Sequence, residues 1–105
     1  MKRMKRTIIF NGRHGLHFRP ASEVVRIAFA HESKIIFASD ETQGDARSIF
    51  ELLFLGIKQG DLVEISVVGH DAEAAMDALC VFLDSCLEQG ESFDADGSNL
   101  DSFAA

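Results

Sequence analysis

His17 and Arg19 stand two residues apart, just after a stretch that contains Gly12 and Gly15. If a helix begins here, its first-turn amides and the positive end of its dipole make an anion site. An arginine adds a fixed cation with donors suited to phosphate oxygens, and an imidazole nitrogen is a nucleophile. Together these groups suit the transfer of a phosphoryl group onto a histidine nitrogen. An exposed loop histidine beside a routine surface arginine would have the same spacing, so the pattern alone leaves both interpretations open.

The pattern of apolar residues predicts the elements that hold this pair. Residues 7–10 form a short first strand that ends at the turn signal Asn11-Gly12. Apolar residues then recur at helical spacing through residues 21–29. The helix must begin near residues 17–19, because Pro20 is tolerated only in a first turn, where its missing N–H costs nothing.

Three further strands and two helices follow. We predict strands at residues 34–39, 42–46 and 61–68, the last with near-perfect alternation. Ser48 and Glu51 form a predicted capping box, in which each side chain bonds to the other's backbone, for a short helix that ends near Gly56. Asp71 is the predicted N-cap of the last helix. Its inward stripe is Ala72, Ala75, Leu79, Phe82 and Cys86.

The resulting order is β-α-β-β-α-β-α, which favours an α+β, two-layer sandwich with helices on one face of a sheet. With 105 residues and 47% apolar content, the chain is expected to be one globular domain. We predict a basic start at residues 1–6, a folded domain at 7–90 and an acidic, mobile tail at 91–105.

Charge and hydropathy exclude several classes of protein. The net charge of −7 disfavours a nucleic-acid reader, and no apolar run approaches the ~20 residues of a membrane-spanning helix. The basic start lacks the following apolar stretch of a signal peptide, so we expect a cytoplasmic protein. His14-x-x-His17 offers only two ligands, so we predict neither a metal nor a cofactor.

Two blocks of sequence resemble one known family. Residues 15–21 read Gly-Leu-His-Phe-Arg-Pro-Ala. They resemble the active-site signature Gly-aliphatic-His-x-Arg-Pro-Ala of HPr, the histidine-containing phosphocarrier protein of the bacterial phosphotransferase system. Residues 48–56 resemble the family's serine-site helix, which ends in Leu-Gly, and the likeness covers about residues 5–89. It implies the family's open-faced β-sandwich, with a four-stranded antiparallel sheet covered on one face by three helices.

The resemblance also implies roles for single residues. His17 would accept and donate the phosphoryl group through Nδ1, and Arg19 would stabilise the phosphate. Ser48 would match a serine that a dedicated kinase modifies in some bacteria, although it also reads as a plain helix cap. Two positions depart from the family pattern. Phe18 fills a slot that is usually small or polar, and His14, where a small polar residue is common, either tunes the pKa of His17 or is solvated.

The short helix predicts a docking surface. At 100° per residue, Leu52 and Leu55 lie on one inward face. A short surface helix cannot also bury the opposite arc, so we expect part of that arc to form an exposed apolar patch beside the histidine. The alternative is that Phe54 tucks under a loop and Ile49 packs on the first helix. The predicted docking residues are Phe18, Arg47, Ile49, Phe50, Leu53 and Phe54.

The resemblance therefore implies a monomeric carrier with no turnover of its own. Enzyme I would phosphorylate His17, and enzyme IIA domains would receive the group; an HPr kinase would be a further partner if Ser48 is its substrate. Two alternatives stay open. The chain could be a regulatory member of the same family, such as a nitrogen-branch carrier or a protein that signals through Ser48. It could also be a non-catalytic binding module of the same fold.

Overall fold

The strands and helices alternate in the predicted order, β-α-β-β-α-β-α. A computed structural model of the protein describes residues 1–89, so the predicted tail at 91–105 lies outside the described residues. The strands are β1 (Lys2–Ile9), β2 (Lys34–Ser39), β3 (Thr42–Asp45) and β4 (Leu62–Gly69). The helices are α1 (Phe18–Phe29), α2 (Ile49–Phe54) and α3 (Ala72–Gln89).

The four strands form one antiparallel sheet in the order β1-β4-β2-β3. The central strand β4 pairs with β1 from Gly69↔Lys2 to Leu62↔Ile9. Its alternate residues Val63, Ile65 and Val67 are buried, whereas the residues between them are partly or fully exposed. One face of the sheet is thus covered by the helices and the other is open, which confirms the predicted α+β open-faced sandwich.

Strand β1 begins at Lys2, five residues before the predicted start at residue 7. It therefore takes in residues 2–6, which the prediction placed in a basic start ahead of the fold. The strand lies at an edge of the sheet, where charged side chains are tolerated and discourage pairing with other chains. Lys5 lies 3.8 Å from the Glu64 carboxylate, and Lys2 lies 3.4 Å from that of Glu73. Continuous backbone pairing with β4 makes this basic run a strand, and the exposed ion pairs add little.

The core fills the space between the covered face of the sheet and the helices. Its largest fully buried side chains include Phe37, Ile35, Leu52 and Ile65. Helix α3 contributes a buried stripe that differs in part from the prediction, because Phe82 is only half-buried. The buried residues of α3 are Ala72, Ala75, Met76, Leu79 and Leu83. The side chain of Cys86 lies outside the described part of the structure. Within residues 1–89, none of the helices has the length and apolar character that a membrane crossing requires.

Asp71 directly precedes α3, as predicted for an N-cap, but its carboxylate also ties two parts of the fold together. It accepts hydrogen bonds from the backbone N–H groups of Glu32 and Ser33, each at 2.9 Å, and from the Ser33 hydroxyl. The Ser33 hydroxyl, followed by the Glu32 N–H, lowers the pKa of Asp71 to about 2. The predicted cap thus also fastens the start of α3 to the connection between α1 and β2.

Candidate functional site

His17 occupies the N-cap position of α1, directly before Phe18. Its backbone is extended, with φ −91° and ψ −170°, and its carbonyl accepts the first helical hydrogen bond from the Ala21 N–H at 3.0 Å. Within the described residues, the imidazole does not cap the helix, and the residue is exposed. The ring is therefore presented to solvent at the helix start.

The residues just before His17 are held firmly against the segment that follows α2. The Leu16 N–H donates to the Ile57 carbonyl at 2.9 Å, and the Leu16 side chain is buried in the core. Gly15 adopts a left-handed φ of +73°, and a Cβ at this position would lie only 2.5 Å from the Ile57 oxygen. Only glycine fits such a left-handed turn in close contact with another backbone. The motif glycine thus lets the loop approach Ile57 and fixes where His17 emerges.

The other end of the same loop is attached to the turn at residues 58–61. The Phe10 N–H donates to the Asp61 carbonyl at 2.8 Å, and the Gly60 N–H donates to the Phe10 carbonyl at 2.6 Å. The Asp61 carboxylate in turn accepts from the Lys58 N–H at 2.8 Å. We call residues 11–16 the site loop. Because adjoining residues of one segment hold both of its ends, the loop has little freedom to move His17.

The start of α1 has the electrostatics of an anion site. The first N–H groups of a helix have no acceptor within the helix. Here they belong to Phe18 and Arg19, since Pro20 carries no N–H. The first turn, residues 18–21, contains no acidic side chain, so nothing in this turn opposes the positive end of the helix dipole. Arg19 is exposed on the same turn as His17. An anion bound here would meet backbone donors and a guanidinium beside the imidazole.

His14 lies against His17. The two ring centroids are 5.9 Å apart and the ring planes are inclined by 81°, an edge-to-face arrangement. His14 is exposed in the site loop. The contact places His14 next to the His17 ring while leaving it exposed, so both interpretations that the sequence left open for this residue stay predictions.

Ser48 is the N-cap of α2, as predicted. Its hydroxyl accepts a hydrogen bond from the Glu51 N–H at 3.3 Å. The second half of the predicted capping box is wrong, because the Glu51 carboxylate accepts from the Asp45 N–H at 2.8 Å. The Ser48 N–H instead donates to the Asp45 carbonyl at 2.9 Å. The tight turn between β3 and α2 thus supplies the acceptor that the capping box would have supplied.

Arg47 does not lie beside His17. Its guanidinium donates to the carbonyls of Ala28 and His31 and lies over the Phe29 ring, 5.5 Å from its centroid. These groups are at the C-terminal end of α1, where a cation interacts favourably with the helix dipole. The N-terminal end of this 12-residue helix, where His17 lies, is about 16 Å away along the axis. The guanidinium of Arg47, one of the predicted docking residues, therefore lies at the far end of α1 from the histidine.

The predicted docking helix exposes two large aromatic side chains. Phe50 and Phe54 are 71% and 86% exposed, and Phe18 beside His17 is 65% exposed. Ile49 and Leu53 are half-buried against the core. The inward face holds the buried Leu52, as predicted, and Phe54 does not tuck under a loop.

The site depends on one feature that the sequence reasoning missed, the carbonyl of Ile57. A backbone acceptor leaves no mark in a residue pattern. Gly15 of the histidine motif could have indicated this contact, because glycine is the usual residue where two backbones approach closely.

The chain is similar to known proteins both in sequence and in fold. Residues 4–85 match the PTS-HPr family model, described as the PTS HPr component phosphorylation site. Phosphocarrier protein HPr of Mycoplasma capricolum is 34% identical over 87 residues, which cover 82% of this chain and 98% of that protein. Phosphocarrier protein NPr of Shewanella violacea is 28% identical over 89 residues, which cover 85% and 98%. The crystal structure of HPr-C-His from Thermoanaerobacter tengcongensis is similar with a TM-score of 0.76 and 34% identity, covering 81% of this chain and 96% of that one.

Proposed function

The chain belongs to the HPr phosphocarrier family, and from that premise we propose that His17 accepts a phosphoryl group from phosphorylated enzyme I and passes it to enzyme IIA domains. The observation that carries the proposal is the position of His17, an exposed imidazole at the start of a helix whose first turn holds Arg19 and no acid. A phosphoryl group on this imidazole would lie where the helix favours negative charge.

The transfer step uses groups at the same helix start as the imidazole. The lone pair of His17 Nδ1 attacks phosphorus, and the P–N bond forms as the bond from phosphorus to the donor group of enzyme I breaks. The donor keeps that bond's electron pair. The N–H groups of Phe18 and Arg19 and the Arg19 guanidinium stabilise the negative charge on the phosphoryl oxygens. Transfer to an enzyme IIA histidine is the same step in reverse, so no further catalytic group is required.

An exposed site suits a carrier better than a buried site would. Interaction of an anion with a helix N-terminus stabilises it by only about 0.3–1 kcal/mol when solvent-exposed. His17 and Arg19 are both exposed, so the phosphohistidine is held weakly enough to be given away. The protein would thus be a stoichiometric carrier, consumed and regenerated in each cycle, rather than an enzyme.

Partners would dock on the exposed aromatic side chains of α2 and of the start of α1. Phe18, Phe50 and Phe54 present exposed apolar rings, and such surfaces often mark contacts with other proteins. Ile49 and Leu53 would form the partly covered floor of this surface. We propose a cytoplasmic, monomeric carrier that serves sugar transport.

Ser48 offers a second, regulatory function within the same proposal. Its hydroxyl sits at the N-cap of α2, where an added phosphate would find the Glu51 N–H and the positive helix end. The fold should therefore tolerate modification, while the added charge would disturb partners that approach Phe50. Incubation of the full chain with an HPr kinase and ATP, followed by mass mapping, tests this role directly.

The chain is also similar to an NPr protein. A nitrogen-branch relay is therefore the alternative to the proposed sugar-transport relay. Incubating the full chain with either a sugar-branch or a nitrogen-branch enzyme I, each with phosphoenolpyruvate, separates the two. The proposal expects faster labelling by the sugar-branch enzyme.

The proposed acceptor is tested by labelling from radioactive phosphoenolpyruvate and enzyme I. We expect acid-labile label on the parent chain, none on His17→Ala, and full label on the control His70→Ala. His70 is exposed and bonds to Glu32, away from the site loop. Persistent labelling of His17→Ala would refute the assignment of the acceptor.

A further inference from the structure

Strand β1 presents a long, continuous edge of the sheet. It pairs with β4 over eight consecutive residues, from Lys2↔Gly69 to Ile9↔Leu62. Because β1 stands first in the strand order, its outer side has no strand partner within residues 1–89. In an antiparallel sheet, alternate residues of a strand direct their N–H and C=O groups to opposite sides. Half of the backbone hydrogen-bonding groups of β1 therefore point toward this outer edge.

The charge of this edge is opposite to that of the chain. Residues 2–6 contain four basic residues and no acidic residue, whereas the whole chain has a net charge of −7. All four basic residues are exposed. A single short strand thus concentrates positive charge on an acidic protein, and it does so along backbone groups that are open to another strand.

The four cations lie on both faces of the sheet. Lys2 and Arg6 each contact a side chain of α3, so they lie on the helix side. Arg3 and Lys5 alternate with them and lie on the open face, where Lys5 contacts Glu64 of β4. A strand that added to β1 would therefore meet positive charge on both of its own faces.

The ion pairs within the chain leave these cations available to another molecule. Lys2 lies 3.4 Å from Glu73 and Lys5 lies 3.8 Å from Glu64, and all four side chains are at least 43% exposed. Exposed pairs of this kind contribute little free energy and are screened by salt. Carboxylates of another molecule can therefore exchange with these partners at little cost.

The charge also decides which kind of strand can pair with this edge. Proteins protect sheet edges with short strands, bulges or charged side chains. The opposite edge, β3, has only four residues, whereas β1 has eight in an unbroken register. Its protection is charge of one sign. A second copy of β1 is repelled, because pairing would bring the cations of both copies together, whereas an acidic strand is attracted.

We propose that β1 is a docking edge for an acidic, extended segment of a partner protein, which adds to the sheet as an antiparallel fifth strand. Backbone hydrogen bonds along the outer edge hold the segment, and its carboxylates select for the cations of residues 2–6, the division of roles found in strand addition. The apolar Ile8 and Ile9 follow these cations. The complementary segment thus begins with apolar residues and continues with acidic ones.

This docking edge is separate from the histidine site. The basic residues occupy the first part of β1, and Lys5 lies about 13 Å along the strand from Ile9, after which the site loop begins. A partner bound at the basic residues leaves His17 exposed. The docking therefore does not depend on the proposed function, and its test requires no phosphoryl transfer.

The docking is tested with the blocked peptide Val-Val-Thr-Glu-Glu-Val-Glu-Glu. Paired antiparallel from Ile9 to Lys2, this peptide sets its four glutamates opposite the four cations. Added to the ¹⁵N-labelled full chain, it should shift the amide signals of β1 and slow hydrogen exchange at the amides of the outer edge. The signals of His17 and Arg19 should stay unchanged.

A second peptide separates strand addition from simple attraction of charge. It keeps the four glutamates but has proline at its third and sixth positions. Proline has no N–H and is excluded from a paired strand. This peptide should bind about tenfold more weakly than the first.

Charge reversal in the protein provides the reciprocal test. The double variant Arg3→Glu and Lys5→Glu changes two exposed side chains and should weaken binding of the first peptide about tenfold or more, because two attractions become repulsions. The matched control is Arg26→Glu with Lys58→Glu, whose side chains are 68% and 81% exposed and lie outside β1. It has the same net charge and should bind the peptide as the parent does.

Four results would each overturn the docking. Equal binding of the two peptides would show attraction of any polyanion, such as a nucleic acid, rather than strand addition. Equal weakening by the two double variants would show an effect of net charge alone. Shifts at the start of α1 instead of β1 would place the carboxylates at the histidine site. Shifts of β1 that depend on protein concentration and occur without peptide would make a second copy of the chain the occupant.

Discussion

The close contact between Gly15 and Ile57 makes a strong prediction about the histidine site. In Gly15→Ala, the new Cβ would lie 2.5 Å from the Ile57 oxygen and 3.3 Å from Lys58 Cα. Contacts with Cβ below 3.0 Å essentially do not occur in proteins. The loop and the carbonyl must therefore separate by about 0.5 Å. That movement acts directly on the hydrogen bond from the Leu16 N–H to the same oxygen, now 2.9 Å long.

Two costs add up in this variant. The left-handed backbone, with φ +73° at Gly15, costs about 1–2 kcal/mol for a residue with a Cβ. A hydrogen bond lost from a buried donor costs about 1–3 kcal/mol more. Alanine also restricts the unfolded chain more than glycine does, which offsets about 0.4–1 kcal/mol of the lost stability. We therefore expect Gly15→Ala to lower the free energy of unfolding by about 2–4 kcal/mol.

Gly56→Ala is the matched control. Gly56 also has a left-handed φ, +64°, but no other described atom lies within 4 Å of its added Cβ. It should lose only the backbone contribution, about 1 kcal/mol, which corresponds to a melting temperature lower by about 4–8 °C. Gly15→Ala should lose at least twice as much.

Phosphoryl acceptance provides the second readout, measured below both melting temperatures with enzyme I and phosphoenolpyruvate. Gly15→Ala should accept the phosphoryl group more slowly, because the residue just before His17 has moved, whereas Gly56→Ala should behave like the parent. Equal thermal losses and equal transfer rates in the two variants would show that the contact with Ile57 does not fix the histidine.

Three further predictions concern stability and thiol reactivity. Asp71→Asn should be less stable than the parent at neutral pH. Because the folded pKa of Asp71 is about 2, below its ordinary value near 4, this difference should fade as the pH falls from about 4 to about 2 in thermal melts. Burial raises the pKa of the Cys80 thiol, so alkylation at neutral pH, followed by peptide mapping, should be slower in the native than in the urea-unfolded chain. Leu52→Ala should lower the free energy of unfolding by about 2–5 kcal/mol in urea titrations, whereas Phe54→Ser should change it by about 0.5 kcal/mol or less.

Each of these predictions has a clear contrary result. A stability difference for Asp71→Asn that stays constant down to pH 2 would mean that ionisation of the carboxylate does not matter. Equal alkylation of Cys80 in native and unfolded chains would contradict its burial. Similar losses in Leu52→Ala and Phe54→Ser would contradict the assignment of the inward face of α2.

The regular elements followed from the sequence wherever one face is buried. Strand β2 has the predicted bounds, and β4 and the start of α1 differ from the prediction by no more than one residue. Their apolar residues alternate or recur because each element packs on the core. The first part of β1, residues 2–6, did not follow, because an edge strand with Lys5 and Arg6 pairs through its backbone and its charged residues hide the apolar pattern. The Asp71 contact with Ser33 was also hidden, since it joins residues that only the fold brings together.

Spacing alone left two interpretations open for His17 and Arg19, and the resemblance of residues 15–21 to the family signature selected phosphoryl transfer. The structure places both residues on one exposed helix start. Arg47 lies apart from them, because its guanidinium reaches back to the C-terminal end of α1 in the fold. The Ile57 carbonyl could not be predicted, since backbone acceptors have no residue signature.

The central claim is that His17 carries the phosphoryl group, and one measurement addresses it most directly. The full chain, labelled with ¹⁵N-histidine, is incubated with enzyme I and phosphoenolpyruvate and followed by NMR. We predict that the Nδ1 signal of His17 shifts on phosphorylation and returns after acid treatment, while His31 and His70 keep their signals. Phosphate on another histidine, or an acid-stable phosphate with unchanged His17 signals, would contradict the account.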